Sequence, residues 1–109
     1  MRVIEVQFPK SGPPTVAPNM TLVFPGEPII WNFSSANPDV TEFLIVFDDP
    51  SAVFFNGNSA FSKPQLGPTF VYGKAPFSTA GRRDKYTVKG LDSSGTTVAY
   101  LDPMIITVQ

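Results

Sequence analysis

The sequence predicts an all-β fold, a Greek-key β-sandwich of about eight short strands in a single domain spanning residues 1–109. Three observations carry this. Apolar and polar residues alternate over short stretches, no window sustains the apolar spacing of an amphipathic helix, and 12 prolines and 8 glycines are spread along 109 residues. Val3, Ile4, Val6 and Phe8 open the first strand, and the segment PKSGPP (9–14) ends it, because proline has no N–H to give a ladder. MTLVF (20–24) is a second strand, stopped by PGEP, and IIWNF (29–33) is a third. The segment SSANPD (34–39) collects the Asx and Ser turn formers of a loop. EFLIVF (42–47) is the most apolar strand, expected to be central and buried on both faces.

Further on, AVFFNGNSAF (52–61) places Asn56-Gly57 between apolar flanks, the strongest short hairpin signal in the chain. A short strand is expected at 69–72, inside a long connection over 62–82. DKYTVKGLD (84–92) alternates with Tyr86 and Val88 inward, SSG turns the chain, TTVAYL (96–101) returns, and MIITV (104–108) closes the domain. No repeat, low-complexity tract or linker interrupts this order.

Composition excludes several functions. Cysteine and histidine are both absent. There is thus no disulfide framework, no thiol chemistry and no cysteine-based metal site, and the commonest general base and transition-metal ligand is missing. Net charge is −1 and the pI is near 5.1, so bulk attraction to nucleic acid or anionic lipid is not expected. No apolar run approaches the ~20 residues of a membrane helix. The start, MRVIEVQFP, alternates like a strand and lacks the apolar block and cleavage site of a signal peptide. Taken as a native start it implies a cytoplasmic protein; taken as the product of leader removal it leaves the compartment open.

The stretch TLVFPGEPIIWNFSSANPDVTEFLIVFDD (21–49) resembles the cupredoxin core. There a Gly-acid turn leads into an apolar-x-aromatic-x-Asn strand, and a loop leads to a strand ending in Val-Phe-Asp. The close, GRRDKYTVKG followed by DPMIITV, resembles the end of the same fold. The likeness covers roughly residues 20–50 and 78–109, and an immunoglobulin-like sandwich is the second choice. The resemblance implies a copper site, but its ligands do not carry over. The first ligand position falls near Phe43 and the cysteine position near Gly90, and LDSSGTTVAYLDP holds no second histidine. Met104, opening an apolar strand, is expected in the core. A thioether alone cannot hold copper. A copper-free member, with no cofactor, is expected.

The remaining candidates are weaker. Asp48 and Asp49 are adjacent in sequence, so their side chains should diverge, whereas a carboxylate acid-base pair must face one bond; the plain reading is a solvated strand end. DSSG (92–95) reads as a hairpin turn. Ser62-Lys63 is the only serine followed directly by a lysine, and sequence neighbours rarely reach the geometry of nucleophile and base. Ten phenylalanines, three tyrosines and one tryptophan are a heavy aromatic load. Trp31, Phe33, Phe43 and Phe47 can fill a core, while alternation cannot bury all of Phe54, Phe55, Phe61, Phe70, Tyr72 and Phe77. The expectation is a non-catalytic binding or assembly module acting on a protein partner or on itself, with no nucleic acid or membrane. Its contacts would be Phe54, Phe55, Phe61, Phe70, Tyr72, Arg82 and Arg83. The alternatives are a self-associating fibre or coat subunit, or a small hydrolase or accessory domain using Asp48 and Asp49. The plain alternative for the aromatics is burial beneath the 62–82 connection.

Overall fold

The computed structural model describes residues 1–109 as ten strands in two packed sheets. In chain order these are β1 (Arg2–Phe8), β2 (Thr15–Ala17), β3 (Met20–Val23), β4 (Pro28–Ser35), β5 (Glu42–Phe47), β6 (Ala60–Pro64), β7 (Thr69–Lys74), β8 (Arg83–Leu91), β9 (Thr97–Leu101) and β10 (Met104–Thr107). There is no α-helix, only one 3-10 turn at Phe77–Thr79. One sheet runs β2-β1-β4-β7 and the other β3-β10-β8-β5-β6, with β9 added beside the second half of β8. Two pairs are parallel, β1 with β4 and β3 with β10.

The strands form where alternation places one apolar face inward. In β8 the inward residues are Asp84, Tyr86, Val88 and Gly90; in β1 they are Ile4, Val6 and Phe8. Twenty-one apolar residues make a single core. Burying each large aliphatic or aromatic side chain contributes roughly 1.5–3 kcal/mol, so these inward faces dominate cohesion between the sheets. Aromatic rings form two groups within it. Phe43 stacks on Phe8 and Phe33, with centroids 5.6 and 4.7 Å apart. Toward the other end, Phe54, Phe47, Tyr86, Trp31 and Phe55 follow one another at 4.2 to 5.9 Å. The Trp31 indole N–H donates to the Tyr86 hydroxyl at 3.3 Å, so the buried indole keeps a partner.

Three expectations need correction. β2 was not foreseen; three residues between Pro14 and Pro18 leave too short a pattern to detect. β5 is not buried on both faces: Phe43, Ile45 and Phe47 are buried, but Glu42, Leu44 and Val46 on its outer face are only half covered. Residues 52–55 are not a strand. Successive short turns place the Val53 N–H on Ser51 O and the Phe54 N–H on Ala52 O, and this irregular backbone lets Phe54 and Phe55 both point inward. The hairpin turn that follows is as expected. Asn56 and Gly57 have φ of 49° and 88°, and Phe55 and Asn58 exchange two backbone hydrogen bonds of 3.0 Å, the twist a two-residue turn requires.

Candidate functional site

The seven residues expected at a partner surface fall in three places. Phe54 and Phe55 are 1% and 4% exposed and belong to the core, so they offer nothing to a partner. Phe61, Phe70 and Tyr72 are exposed and lie on β6 and β7, the edges where the two sheets end side by side. Arg82 and Arg83 sit away from them at the start of β8.

The β6–β7 rim is built as follows. Phe61 pairs with Ile45 across the β5–β6 ladder, in the inward phase of β6, and its ring lies 5.8 Å from Phe55. It therefore continues the aromatic core outward to the surface. Lys63, in the same phase, crosses the rim and donates from Nζ to Phe70 O at 2.7 Å. A shallow groove lined by Lys63, Pro64, Leu66, Thr69, Phe70 and Tyr72 follows. Leu66, 81% exposed, stands on its lip. Phe70 and Tyr72 occupy the outer face of β7, and Tyr72 is in register with Ile30 on β4, which is in register with Val3 on β1. The rim thus runs into an apolar row, Tyr72–Ile30–Val3, across the outer face of the first sheet.

Leu66, Ile30 and Val3 were missed in the sequence. A signal was present: Val3-Ile4 and Ile29-Ile30 are apolar doublets, which put an apolar side chain on each face of a strand. The same holds for Leu22-Val23. Met20, Leu22 and Phe24 are 56%, 53% and 59% exposed, and Met20 and Leu22 lie in register with half-buried Met104 and Ile106 on β10. Met104 thus faces outward between Met20 and Lys85 rather than filling the core.

Arg82 and Arg83 differ in what they can do. Arg83 is exposed, beside Ile106 on the outer face of the second sheet. Arg82 is committed. Its Nη2 donates to Asp84 Oδ1 at 2.7 Å and Asp49 Oδ2 at 3.0 Å, and its Nη1 donates to Ser51 Oγ at 3.0 Å. Asp84 is buried in the inward phase of β8, and its Oδ2 has no partner. Arg82 is the counter-charge that makes this carboxylate tolerable and ties the 49–51 turn to β8.

Asp49 and Asp84 meet at Arg82 Nη2, and Asp92 lies in a turn of its own. Asp49 accepts from the Ser51 N–H and hydroxyl, both at 2.8 Å; these bonds, with the Arg82 charge, hold its carboxyl below the usual range. Asp92 accepts from the Ser94 hydroxyl and N–H and from the Thr96 N–H, which likewise lower it and close the β8–β9 turn. No three His, Cys, Asp or Glu side chains are grouped closely enough to hold a metal ion. At the strand start where the resemblance places a ligand, Phe43 faces Gly90 directly across the β5–β8 ladder, and the surrounding side chains are Phe8, Phe33 and Val40. All are carbon, with no donor for a cation. Neither a known protein-family model nor a curated protein matches the chain.

Proposed function

We propose that this chain is a non-catalytic binding module, a copper-free cupredoxin-like Greek-key sandwich that engages a protein partner through the β6–β7 rim and the outer face of the first sheet. The observation that carries the reading is the continuity of exposed Leu66, Phe70 and Tyr72, which line one groove, with the Ile30–Val3 row. A contiguous apolar patch of this kind is uncommon on an isolated domain and is enriched at interfaces, above all when it is aromatic. The strand order and the two parallel pairs, β1 with β4 and β3 with β10, support the cupredoxin-like part of the reading. A second reading, a self-associating structural subunit, is favoured by the second apolar stripe at Met20 and Leu22 on the other sheet.

The test is photo-crosslinking in the source cells with a benzophenone side chain at Tyr72, compared with the same group at exposed Thr15 on the opposite edge of that sheet. An adduct with a second protein at residue 72 alone, lost on Leu66→Ser, is expected. An adduct with another copy of this chain would favour the structural subunit. No adduct above the Thr15 control would defeat both.

A further inference from the structure

The two sheets end in four edge strands, β2, β7, β3 and β6, with β9 flanking β8 on one side only, and these four are treated differently. β2 is three residues long and bounded by Pro14 and Pro18. β6 ends in Pro64 and carries Lys63. On β7, Phe70 O is taken by Lys63 Nζ and the Lys74 N–H by Phe54 O. Each device blocks the addition of another strand. β3 has none of them. It is uncharged and free of proline, and it pairs with β10 alone. The Met104 N–H donates to Asn19 O and the Val108 N–H to Val23 O, so the odd-numbered residues face β10. Strand alternation then turns the N–H and C=O of Met20 and Leu22 toward open solvent. The Phe24 N–H is already held by Glu27 Oε1 at 2.9 Å, which ends the open segment.

From this we infer that β3 is a dimerisation edge whose occupant is β3 of a second copy, antiparallel about a two-fold axis at Thr21. In that register Met20 lies opposite Leu22 of the partner and exchanges both backbone hydrogen bonds with it, and Leu22 does the same with the partner's Met20. Every open donor and acceptor on the edge is satisfied, and the patch is self-complementary as two-fold symmetry demands. Side-chain chemistry agrees. Leu22 is in register with Ile106 and then Arg83, and Met20 with Met104 and then Lys85. Pairing the two edges therefore creates rows of four apolar side chains across the axis with a cation only at each outer end. Five strand spacings, about 24 Å, separate those cations, well beyond the screening length of physiological salt, so no like charges oppose the joint. The β6–β7 rims lie at the two far ends of the joined sheet, and the dimer would display two copies of the proposed binding face.

The absence of native cysteine makes the register directly testable. Met20→Cys and Leu22→Cys are prepared separately. Oxidation of an equimolar mixture is expected to give a covalent heterodimer much faster than either variant alone, because only residues 20 and 22 stand opposite each other at a distance a disulfide can span. In parallel, light scattering across a wide concentration range should show the mass rising from 11.8 kDa to twice that value. Leu22→Lys should stay at one chain mass and melt like the parent chain at concentrations where the parent is monomeric, and Tyr72→Ser should still dimerise. A mass that never rises, a dimer that survives Leu22→Lys, or a mixture that crosslinks no faster than its components would overturn the inference. Such a result leaves the β6–β7 reading standing, since that surface is tested at a different edge.

Discussion

Phe43 and Gly90 stand opposite each other in the β5–β8 ladder, and the space a side chain would take at Gly90 is filled by Val40 and Phe8. A Cβ there would lie 2.7 Å from Val40 Cγ2 and 2.9 Å from Phe8 Cε1. Val40 is stiff because it is β-branched, and Phe8 is held by its stack on Phe43. Neither can withdraw. Gly90→Ala is predicted to destabilise the fold by about 1–3 kcal/mol, the usual cost of overpacking. Chemical denaturation checks this, and an unchanged midpoint would mean that this end of the core can yield.

The Arg82–Asp84 pair carries the next prediction. The Asp84 side chain is 2% exposed against 31% for Arg82, so loss of the arginine leaves a buried carboxylate with no counter-charge. Arg82→Ala should cost roughly 3 kcal/mol, the low end for breaking a buried pair because Arg82 itself is partly solvated. Removing both charges with Arg82→Leu and Asp84→Leu should recover much of the loss. Asp49→Asn, at an exposed site, should cost far less than Arg82→Ala. Thermal melts of the four proteins would refute the assignment if the two single substitutions fell equally.

Most of the fold was legible because alternation is a local signal. Tyr86 and Val88 were readable as inward, Asn56-Gly57 as a tight turn and Asp92 to Gly95 as a hairpin loop, since each rests on residues within a few positions of one another. The candidate face was only half legible. Alternation left open which of the 52–77 aromatics are covered: Phe61, Phe70 and Tyr72 are exposed, but Phe54 and Phe55 are not, because a non-strand backbone escapes the rule that neighbours face opposite ways. Apolar doublets such as Ile29-Ile30 announce two apolar faces without saying which is covered by the other sheet. The Arg82–Asp49 pair spans 33 residues, and nothing local could disclose it.

The response to pH has a definite sign on each side. Glu27 is held below its usual range first by the Phe24 N–H, then by the N-terminal amine and Arg2 acting against burial. Asp49 and Asp92 are lowered by their turn hydrogen bonds. A lowered carboxyl adds stability that is present above about pH 4 and is lost as pH falls through the folded value. The Tyr86 phenol is pushed up by burial, with the Trp31 N–H pulling weakly the other way. Its contribution is present below about pH 10 and is lost above it. With no histidine, the denaturation midpoint should hold level through neutral pH. Asp92→Asn should flatten part of the acid arm and Tyr86→Phe part of the alkaline arm. Arms unchanged by these substitutions would place the titration elsewhere.

The last prediction separates core from surface among the aromatics. Phe54 lies parallel to Phe47 at a centroid distance of 4.2 Å and is 1% exposed, whereas Tyr72 is 64% exposed. Phe54→Ala should cost about 3–5 kcal/mol through lost burial and the cavity left behind. A loss of that size is a large part of the total stability of a domain this small, so the variant should be substantially less folded at physiological temperature. Tyr72→Ser should change stability by no more than about 0.5 kcal/mol, since it empties no cavity and strands no buried polar group. If Tyr72 instead proved as costly as Phe54, the outer face of the first sheet would be covered within the folded chain, and the β6–β7 rim could not be the contact surface. Denaturation curves of the two variants side by side decide this before any partner is in hand.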